Sequence, residues 1–250
     1  MNAVEFYLSR PRPLSRADIV KIAMMTTGQR ANPDWLKLRN YCLTASNFAG
    51  GIAACYFNKD RDKFLRQYLC PSKPTPAMKY GVAKEGAARR AYCETTAMNV
   101  RDTGLWLFPS GNLGASPDGL VYEYTDDREP EGLVEFKCPY SMRDKDRHAL
   151  EEFAEKNQKF HFQQVQGQLA ATRLPWCDLV YWSPRGLWKR RIMKDYIWRL
   201  INVPLLESFF VDVLQPAKAG MHIVMAFPPV YFRDCAISSS KMAAEFEFER

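Results

Sequence analysis

The order of helical and extended patterns along the chain constrains its fold more than any other feature. A long helical pattern at Met78–Met98 is followed by three strand-like runs, two helical patterns, a hairpin and a last helical pattern. In chain order these segments are Gly104–Phe108, Leu120–Tyr124, Leu133–Lys137, Ala149–Lys159, Phe162–Thr172, Asp178–Met193 and Tyr196–Leu214. Because helices enclose a strand-rich middle, we expect an α/β (α+β) fold with a central mixed β-sheet flanked by helices.

The chain before Met78 is predicted to be mainly helical. Ser15 followed by Asp18 predicts a capped helix start, and Ser46 is typical of an N-cap for the helix after it. Three prolines within residues 71–76 predict an extended connector. Since no internal repeat or low-complexity block appears, we expect one domain over residues 1–250. Its parts are a helical region at about 1–100, a sheet core at about 101–195, and a C-terminal helix and tail at about 196–250.

Composition restricts the class of protein. The 250 residues include 35 Lys plus Arg against 28 Asp plus Glu, and the net charge of +7 favours an anionic partner such as nucleic acid. The seven cysteines are scattered and contain no C-x-x-C pair, which argues against a disulfide framework or a zinc cluster. The N-terminus has no apolar signal-peptide core, and charges interrupt the apolar stretch at Tyr196–Leu214. We therefore expect an intracellular protein that is not secreted and has no membrane partner.

Two short stretches, GASPDGL at 114–120 and LVEFKCP at 133–139, contain the candidate chemistry. If they pair as arms of one hairpin, Asp118, Glu135 and Lys137 converge on one side of the sheet, because alternate strand residues share a face. Two close carboxylates favour a bound cation, and Mg²⁺ prefers oxygen ligands. A lysine beside them can orient a water and offset charge on a phosphate. The alternative is a turn aspartate near a solvent-facing Glu–Lys pair.

These stretches resemble a known family once their neighbours are included. The SPDG turn and the EFKCPY strand resemble the phage lambda exonuclease family, also described as the YqaJ viral recombinase domain, within the PD-(D/E)XK nucleases. Three further segments are similar to that family: RNYCLTAS at 39–46, KYGVAKE at 79–85 and HFQQVQGQL at 161–169. The similarity runs from about Trp35 to Leu214. It implies a restriction-endonuclease-like core and a single nuclease domain.

The resemblance implies a metal site and the roles of the residues around it. Asp118 and Glu135 resemble the metal ligands, with the backbone carbonyl of Phe136 as a further ligand and Lys137 as the catalytic lysine. The implied cofactor is Mg²⁺, and Mn²⁺ is expected to substitute for it. Two further residues resemble supporting groups of the family, Glu85 and Gln164.

Each of these supporting residues has an alternative. Glu85 resembles an acid that binds metal directly or through water, and otherwise forms an i,i+4 pair with Arg89. Gln164 resembles the glutamine that reaches the metal-bound water or the lysine, and otherwise is an ordinary glutamine on a polar helix face. The family has another acid about ten positions before Asp118, where this chain has Phe108 and its neighbours. Either the site binds only one metal fully, or Glu85 replaces the missing acid as a ligand of a second metal.

The resemblance also implies a site for a DNA end. Arg39, Ser46 and Ser116 look like the residues that hold a terminal 5′ phosphate, a task that suits arginine and hydroxyl groups. Their alternatives are a surface arginine, a helix cap and a turn serine. His161 stands where the phage enzyme has a tyrosine, and we expect it to contact DNA. The basic run at 189–191 is either a backbone-contact patch or a solvated strand face.

The activity implied is a Mg²⁺-dependent exonuclease that degrades linear double-stranded DNA from 5′ to 3′ and leaves a 3′ single strand for annealing. One alternative is an alkaline-nuclease-like enzyme that also cuts internally or cuts RNA. Another is a nucleic-acid-binding module without catalysis. The implied partners are DNA ends and a single-strand annealing protein, with the chain acting as a trimer or a monomer in the cytoplasm or nucleus.

Overall fold

The computed structural model describes residues 1–123 and 129–220. Outside these residues lie Tyr124, which ends one strand-like run, part of the segment 125–132 that leads to the next run, Cys235, and the tail after Gly220. Within the described ranges, no helix is long and apolar enough to cross a membrane.

Ten α-helices occur in the described part of the chain, and most follow the predicted patterns. They are α1 Ala3–Ser9, α2 Arg16–Met25, α3 Pro33–Leu38, α4 Phe48–Tyr56, α5 Asn58–Leu69, α6 Pro76–Thr96, α7 Arg147–Asn157, α8 Phe162–Thr172, α9 Tyr196–Phe209 and α10 Gln215–Lys218. Helix α2 begins with the predicted reciprocal hydrogen bonds between Ser15 and Asp18, and α8 has the predicted bounds. Helix α1 was not predicted. Between α9 and α10, Phe210–Leu214 forms a π-helical turn.

The prediction that Ser46 caps a helix is wrong. Ser46 lies inside a 3₁₀ turn, Ala45–Asn47, and α4 begins only after that turn. The extra turn moves the N-cap position of α4 to Asn47, which caps without a side-chain hydrogen bond. The Ser46 hydroxyl lies 3.2 Å from the Thr44 hydroxyl and is exposed, so it is available to other groups.

Across the described residues, eight strands form two sheets, and the larger one is mixed as predicted. The strands are β1 Leu43–Thr44, β2 Asn99–Arg101, β3 Trp106–Leu107, β4 Leu113–Ala115, β5 Gly119–Tyr122, β6 Gly132–Lys137, β7 Trp176–Ser183 and β8 Gly186–Met193. The larger sheet has the order β2-β5-β6-β7-β8, in which only β6 and β7 are parallel. Its central strand, β6, is the EFK strand. The smaller sheet, β1-β4-β3, was not foreseen as a separate unit.

Strand β6 is covered on both faces. Val134 and Phe136 pack with Tyr92 of α6, whereas Leu133 packs with Val165 and Leu169 of α8. Alternation along β6 therefore directs Glu135 toward the α8 side of the sheet. The alternative of a solvent-facing Glu–Lys pair is wrong, because the crossover between the parallel strands β6 and β7 lays helices over that side and leaves Glu135 only 4% exposed.

The N-terminal helices pack against the smaller sheet and α9 in one apolar cluster. Ile22 of α2, Trp35 of α3 and Phe48 of α4 share this cluster with Leu113 of β4 and Phe209 of α9. The cluster fixes the helical region against the turn between β4 and β5. That turn carries Ser116 and Asp118 into the candidate site.

Candidate active site

Asp118 lies at the start of β5, directly beside the central strand β6. Strands β5 and β6 pair as the predicted hairpin, and their register joins Gly119 with Val134 and so places Asp118 next to Glu135. The Asp118 Oδ2 atom accepts a hydrogen bond from the backbone N–H of Phe136 at 2.7 Å. Since the N–H and C=O of one strand residue point to the same edge, the Phe136 carbonyl faces the same edge as Asp118.

Glu135 is held by three side-chain donors. Its Oε1 atom accepts from Lys137 Nζ at 2.7 Å and from Gln164 Nε2 at 2.6 Å. Lys137 also donates to Gln164 Oε1 at 3.1 Å, which closes a three-membered network. The structure thus brings together the predicted residues Glu135, Lys137 and Gln164, with Gln164 in contact with the lysine. These bonds leave each of the three side chains little freedom to rotate.

The third donor to Glu135 is Gln168, which sequence reasoning missed. Its Nε2 atom donates to Glu135 Oε2 at 2.7 Å, and the residue is 1% exposed. Gln164 and Gln168 are four residues apart on α8 and therefore share a face. That spacing, within a helix similar to the family's glutamine helix, is the signal that could have identified Gln168. In the described part of the chain, its buried Oε1 atom has no hydrogen-bond partner.

Glu135 is close enough to Asp118 to disfavour the charged form of Asp118. Burial, followed by the charge of Glu135, raises the pKa of Asp118 well above its ordinary value. Burial alone would lower the pKa of Lys137, but the charges of Glu135 and Asp118 outweigh it and raise that pKa. Lys137 is therefore an ammonium at neutral pH. One lysine against two acids leaves room for a further cation.

The donor set fits a hard divalent cation. Asp118, Glu135 and the Phe136 carbonyl offer oxygen atoms, which Mg²⁺ and similar ions prefer. Within residues 1–123 and 129–220, His, Cys, Asp and Glu side chains do not gather in threes around a point that would hold a metal. Protein ligation here would rest on two carboxylates and a carbonyl, with water completing the coordination shell, as is usual for Mg²⁺.

Glu85 faces the same region from helix α6. Burial raises its pKa, the charge of Arg30 opposes that shift, and the charge of Glu135 adds to it. Its expected alternative partner, Arg89, instead forms an ion pair with Asp102 at 2.5 Å and donates to the backbone carbonyl of Asp118 at 2.8 Å. Glu85 thus stands near the acid pair without belonging to a three-carboxylate cluster.

A cleft of about 460 Å³ opens over these residues. Glu85, Lys137 and His161 line it, together with Arg30. Burial, and then the charge of Lys137, lowers the pKa of His161 to about 3, so its imidazole is neutral at physiological pH. At this volume the cleft can hold a nucleotide-sized group, and its lining combines the carboxylate of Glu85 with the cations of Lys137 and Arg30.

The three residues predicted for the 5′ phosphate lie around one end of the smaller sheet. The Arg39 guanidinium stacks 4.3 Å from the centre of the Trp35 ring, and Trp35 Nε1 donates to Ser116 Oγ at 2.9 Å. Strands β1 and β4 pair Thr44 with Gly114, so Ser46 and Ser116 each lie two residues beyond that pair. Trp35 connects two of the predicted residues, and sequence reasoning had not assigned it a role.

The basic residues 189–191 of β8 contact other side chains of the protein. Arg191 Nε lies 2.9 Å and Lys189 Nζ 3.5 Å from carboxylate oxygens of Asp178, which is fully buried. Arg190 donates to Gln158 Oε1 at 2.8 Å. Lys189 and Arg191 therefore compensate the charge of the buried Asp178.

Comparison with known proteins agrees with this geometry. The model of the YqaJ-like viral recombinase domain matches residues 34–175, more than half of the chain. An alkaline nuclease of Orgyia pseudotsugata multicapsid polyhedrosis virus is 32% identical over 138 residues, which cover 54% of this chain and 30% of the relative. The chain therefore spans under a third of that protein's length.

Solved structures show the same relationship. The alkaline exonuclease LHK-Exo of Laribacter hongkongensis superposes with a TM-score of 0.59 at 25% identity, covering 75% of this chain and 94% of that one. Its complex with dAMP gives a TM-score of 0.60 at 25% identity, covering 75% and 97%. The predicted PD-(D/E)XK type of fold is confirmed. The chain belongs to the phage lambda exonuclease and YqaJ-like viral recombinase family.

Proposed function

We propose that this chain is a Mg²⁺-dependent deoxyribonuclease that removes nucleotides from the 5′ end of linear double-stranded DNA. The observation that carries the proposal is the network in which Lys137, Gln164 and Gln168 all donate to Glu135 beside Asp118. A network of this kind, whose Lys137 lines an open cleft, suits hydrolysis of a phosphodiester. The product is a 3′ single strand for annealing.

Each residue of the network has a distinct role in this reaction. Asp118, Glu135 and the Phe136 carbonyl would hold the ion, with Glu85 acting through water. A divalent ion bound there supplies Lewis-acid activation of water and neutralises charge on the phosphate oxygens.

The remaining side chains position the reactants. Lys137 keeps its proton, orients the attacking water and offsets charge on the phosphate. Gln164 holds Lys137 and Glu135 in one geometry, and Gln168 fixes the other oxygen of Glu135. Two glutamines of α8 take part because Glu135 has two carboxylate oxygens, and Gln164 and Gln168 each donate to one of them.

The specificity for a 5′ end is assigned to Arg39, Ser46 and Ser116. A terminal phosphate offers more acceptor oxygens and more charge than a diester, which suits a guanidinium with two hydroxyl groups. His161, neutral and on the cleft wall, would contact the DNA. LHK-Exo was solved with dAMP, a nucleotide that carries one phosphate. A mononucleotide of that kind is the product expected of this reaction.

The setting of the activity is part of the proposal. Residues 1–250 would form one nuclease domain, in an intracellular, reducing compartment that is the cytoplasm, or the nucleus in a eukaryotic host. The cysteines within the described residues are all free, in keeping with such a compartment. A single-strand annealing protein would receive the product, and light scattering would distinguish a trimer from a monomer.

The test uses three DNA substrates with Mg²⁺. A linear duplex labelled at the 5′ ends should release labelled mononucleotide from the first turnover, whereas a 3′ label should stay on long strands. Covalently closed circles should remain intact. Cutting of the circles would favour the internal activity of an alkaline-nuclease-like enzyme, and binding without any cleavage would favour a module that lacks catalysis.

A further inference from the structure

Arg30 is carried by a turn that is fastened to the active-site loop. Gly28 and Gln29 both have positive φ values, 88° and 45°, and the second is unfavourable for a residue with a side chain. The Gln29 amide donates to the backbone carbonyls of Pro117 at 2.8 Å and Thr103 at 3.2 Å. Pro117 directly precedes Asp118. These two hydrogen bonds therefore hold the turn in its uncommon conformation and tie it to the loop that carries Asp118.

The Arg30 side chain reaches the same cleft as the catalytic network. It lines that cleft with Glu85 and Lys137, while Arg39 lies outside the lining. Throughout the described residues, Arg30 makes neither an ion pair nor a hydrogen bond with another side chain. Such a guanidinium, exposed and without a partner, retains all five of its donors for a ligand.

The charge of Arg30 acts on both parts of the site. Among neighbouring charges it is the leading one that opposes the raised pKa of Glu85, ahead of Lys137 and Arg89. It also contributes to the lowered pKa of Arg39, behind burial. Arg30 thus interacts electrostatically with both Glu85 and Arg39. Several cations that face one cleft repel each other, and an anion that binds between them relieves this repulsion.

We propose that Arg30 is a substrate-binding residue that contacts the scissile phosphodiester, while Arg39 and Ser116 hold the terminal phosphate. The planar guanidinium suits two oxygens of one phosphate, which a lysine ammonium cannot bind in the same bidentate way. The scissile group is favoured over the terminal one because Arg30 shares the cleft with Lys137 and Glu85. This inference rests on the proposed nuclease activity and adds a residue to it.

The kinetic test compares Arg30→Ala and Arg30→Lys with Arg199→Ala, an exposed arginine on α9 outside the cleft. Each protein is assayed on linear duplexes that carry either a 5′ phosphate or a 5′ hydroxyl. Loss of a charged hydrogen-bonding partner predicts that Arg30→Ala lowers kcat/KM by about 10- to 100-fold on both duplexes. Arg30→Lys should recover part of that loss, and Arg199→Ala should match the wild type.

Binding provides a second readout. In a Glu135→Gln background, which stops cleavage, the salt dependence of DNA affinity is measured by fluorescence anisotropy. Removing one phosphate contact should reduce the slope of log K against log salt by about 0.9 when Arg30 is replaced by alanine. The thermal midpoint should stay unchanged, because Arg30 is exposed.

The outcomes separate the two proposals. If the wild type degrades DNA but Arg30→Ala behaves like Arg199→Ala in both assays, the role of Arg30 is wrong and the nuclease proposal stands. A loss confined to the 5′-phosphorylated duplex would place Arg30 at the terminal phosphate and overturn the assignment to the scissile one. A wild type that cleaves neither duplex would overturn the proposed function itself.

Discussion

The indole nitrogen of Trp35 donates a hydrogen bond to the hydroxyl of Ser116 at 2.9 Å, and the same indole ring lies under the guanidinium of Arg39. One buried tryptophan therefore orients two of the residues assigned to the 5′ phosphate. The arrangement joins helix α3, where Trp35 lies, to the loop between β4 and β5. End recognition should accordingly depend on a residue that need not touch DNA.

Replacing Trp35 with phenylalanine keeps a ring under Arg39 and removes the donor to Ser116. We expect Trp35→Phe to reduce the preference for 5′-phosphorylated over 5′-hydroxyl duplex several-fold, and to cost about 0.5–1.5 kcal/mol of stability for the lost hydrogen bond. Rates on both duplexes and denaturant unfolding measure the two effects.

Trp106→Phe is the matched control, since the buried Trp106 donates to Thr103 Oγ1 at 2.8 Å and lies outside the cleft lining. It should lose similar stability and keep the preference. Equal changes of preference in both variants would refute a specific role for Trp35.

The raised pKa of Asp118 predicts a stability cost for the metal-free protein. The folded state binds this proton more tightly than the unfolded state does, so the contribution to stability is present at acid pH and is lost as pH rises through the folded pKa. Asp118→Asn has no such charge. In EDTA we expect the variant to unfold at a higher temperature than the wild type at pH 8, with a difference that shrinks toward pH 4.

Addition of Mg²⁺ should reverse this order. A ligand that binds only the folded wild type raises its thermal midpoint, while Asp118→Asn should respond little and lack nuclease activity. If the wild type is at least as stable as the variant in EDTA at every pH, then burial and the charge of Glu135 do not destabilise the charged form of Asp118.

Gln168 should support catalysis through Glu135. Gln168→Ala leaves one buried carboxylate oxygen without its donor, and we expect a loss of about 1–3 kcal/mol of stability together with weaker metal binding. Calorimetric titration with Mg²⁺ or Mn²⁺ measures the second effect.

Gln166→Ala offers a control on the same helix. Gln166 is as buried as Gln168, but it bonds to the backbone of Met193 and Asp195 and does not contact Glu135. Gln166→Ala should destabilise the protein. At a temperature where this variant is folded, its metal affinity should equal that of the wild type. If both variants bind metal equally well, Gln168 has no positioning role.

The elements that were predicted correctly carry their information in local sequence. The helix at Phe162–Thr172 and the pairing of β5 with β6 follow from periodicity and from the turn residues between strands. The faces of Glu135 and Phe136 follow from alternation alone. These features need no knowledge of what packs against them.

The features that were missed depend on contacts between distant segments. Strand β1 has two residues and exists through its pairing with β4, some 70 positions later, so no local pattern marks it. Ser46 looked like a cap because it precedes an apolar helix, yet a 3₁₀ turn intervenes. The bond between Trp35 and Ser116 likewise requires the packing of α3 against the small sheet.

The Asp118–Glu135–Lys137 site should hydrolyse DNA. The most direct measurement is mononucleotide release from 5′-phosphorylated linear duplex over a Mg²⁺ titration, for the wild type, Glu135→Gln and Lys137→Ala. Asp178→Asn serves as the control, because Asp178 is a buried acid on β7 that bonds to Tyr92 and Arg191 outside the cleft lining. We predict Mg²⁺-dependent release by the wild type and by folded Asp178→Asn, and a loss of at least about 100-fold in the other two variants. Full activity of Glu135→Gln or Lys137→Ala, or release that persists in EDTA, would show that this site does not carry out the hydrolysis.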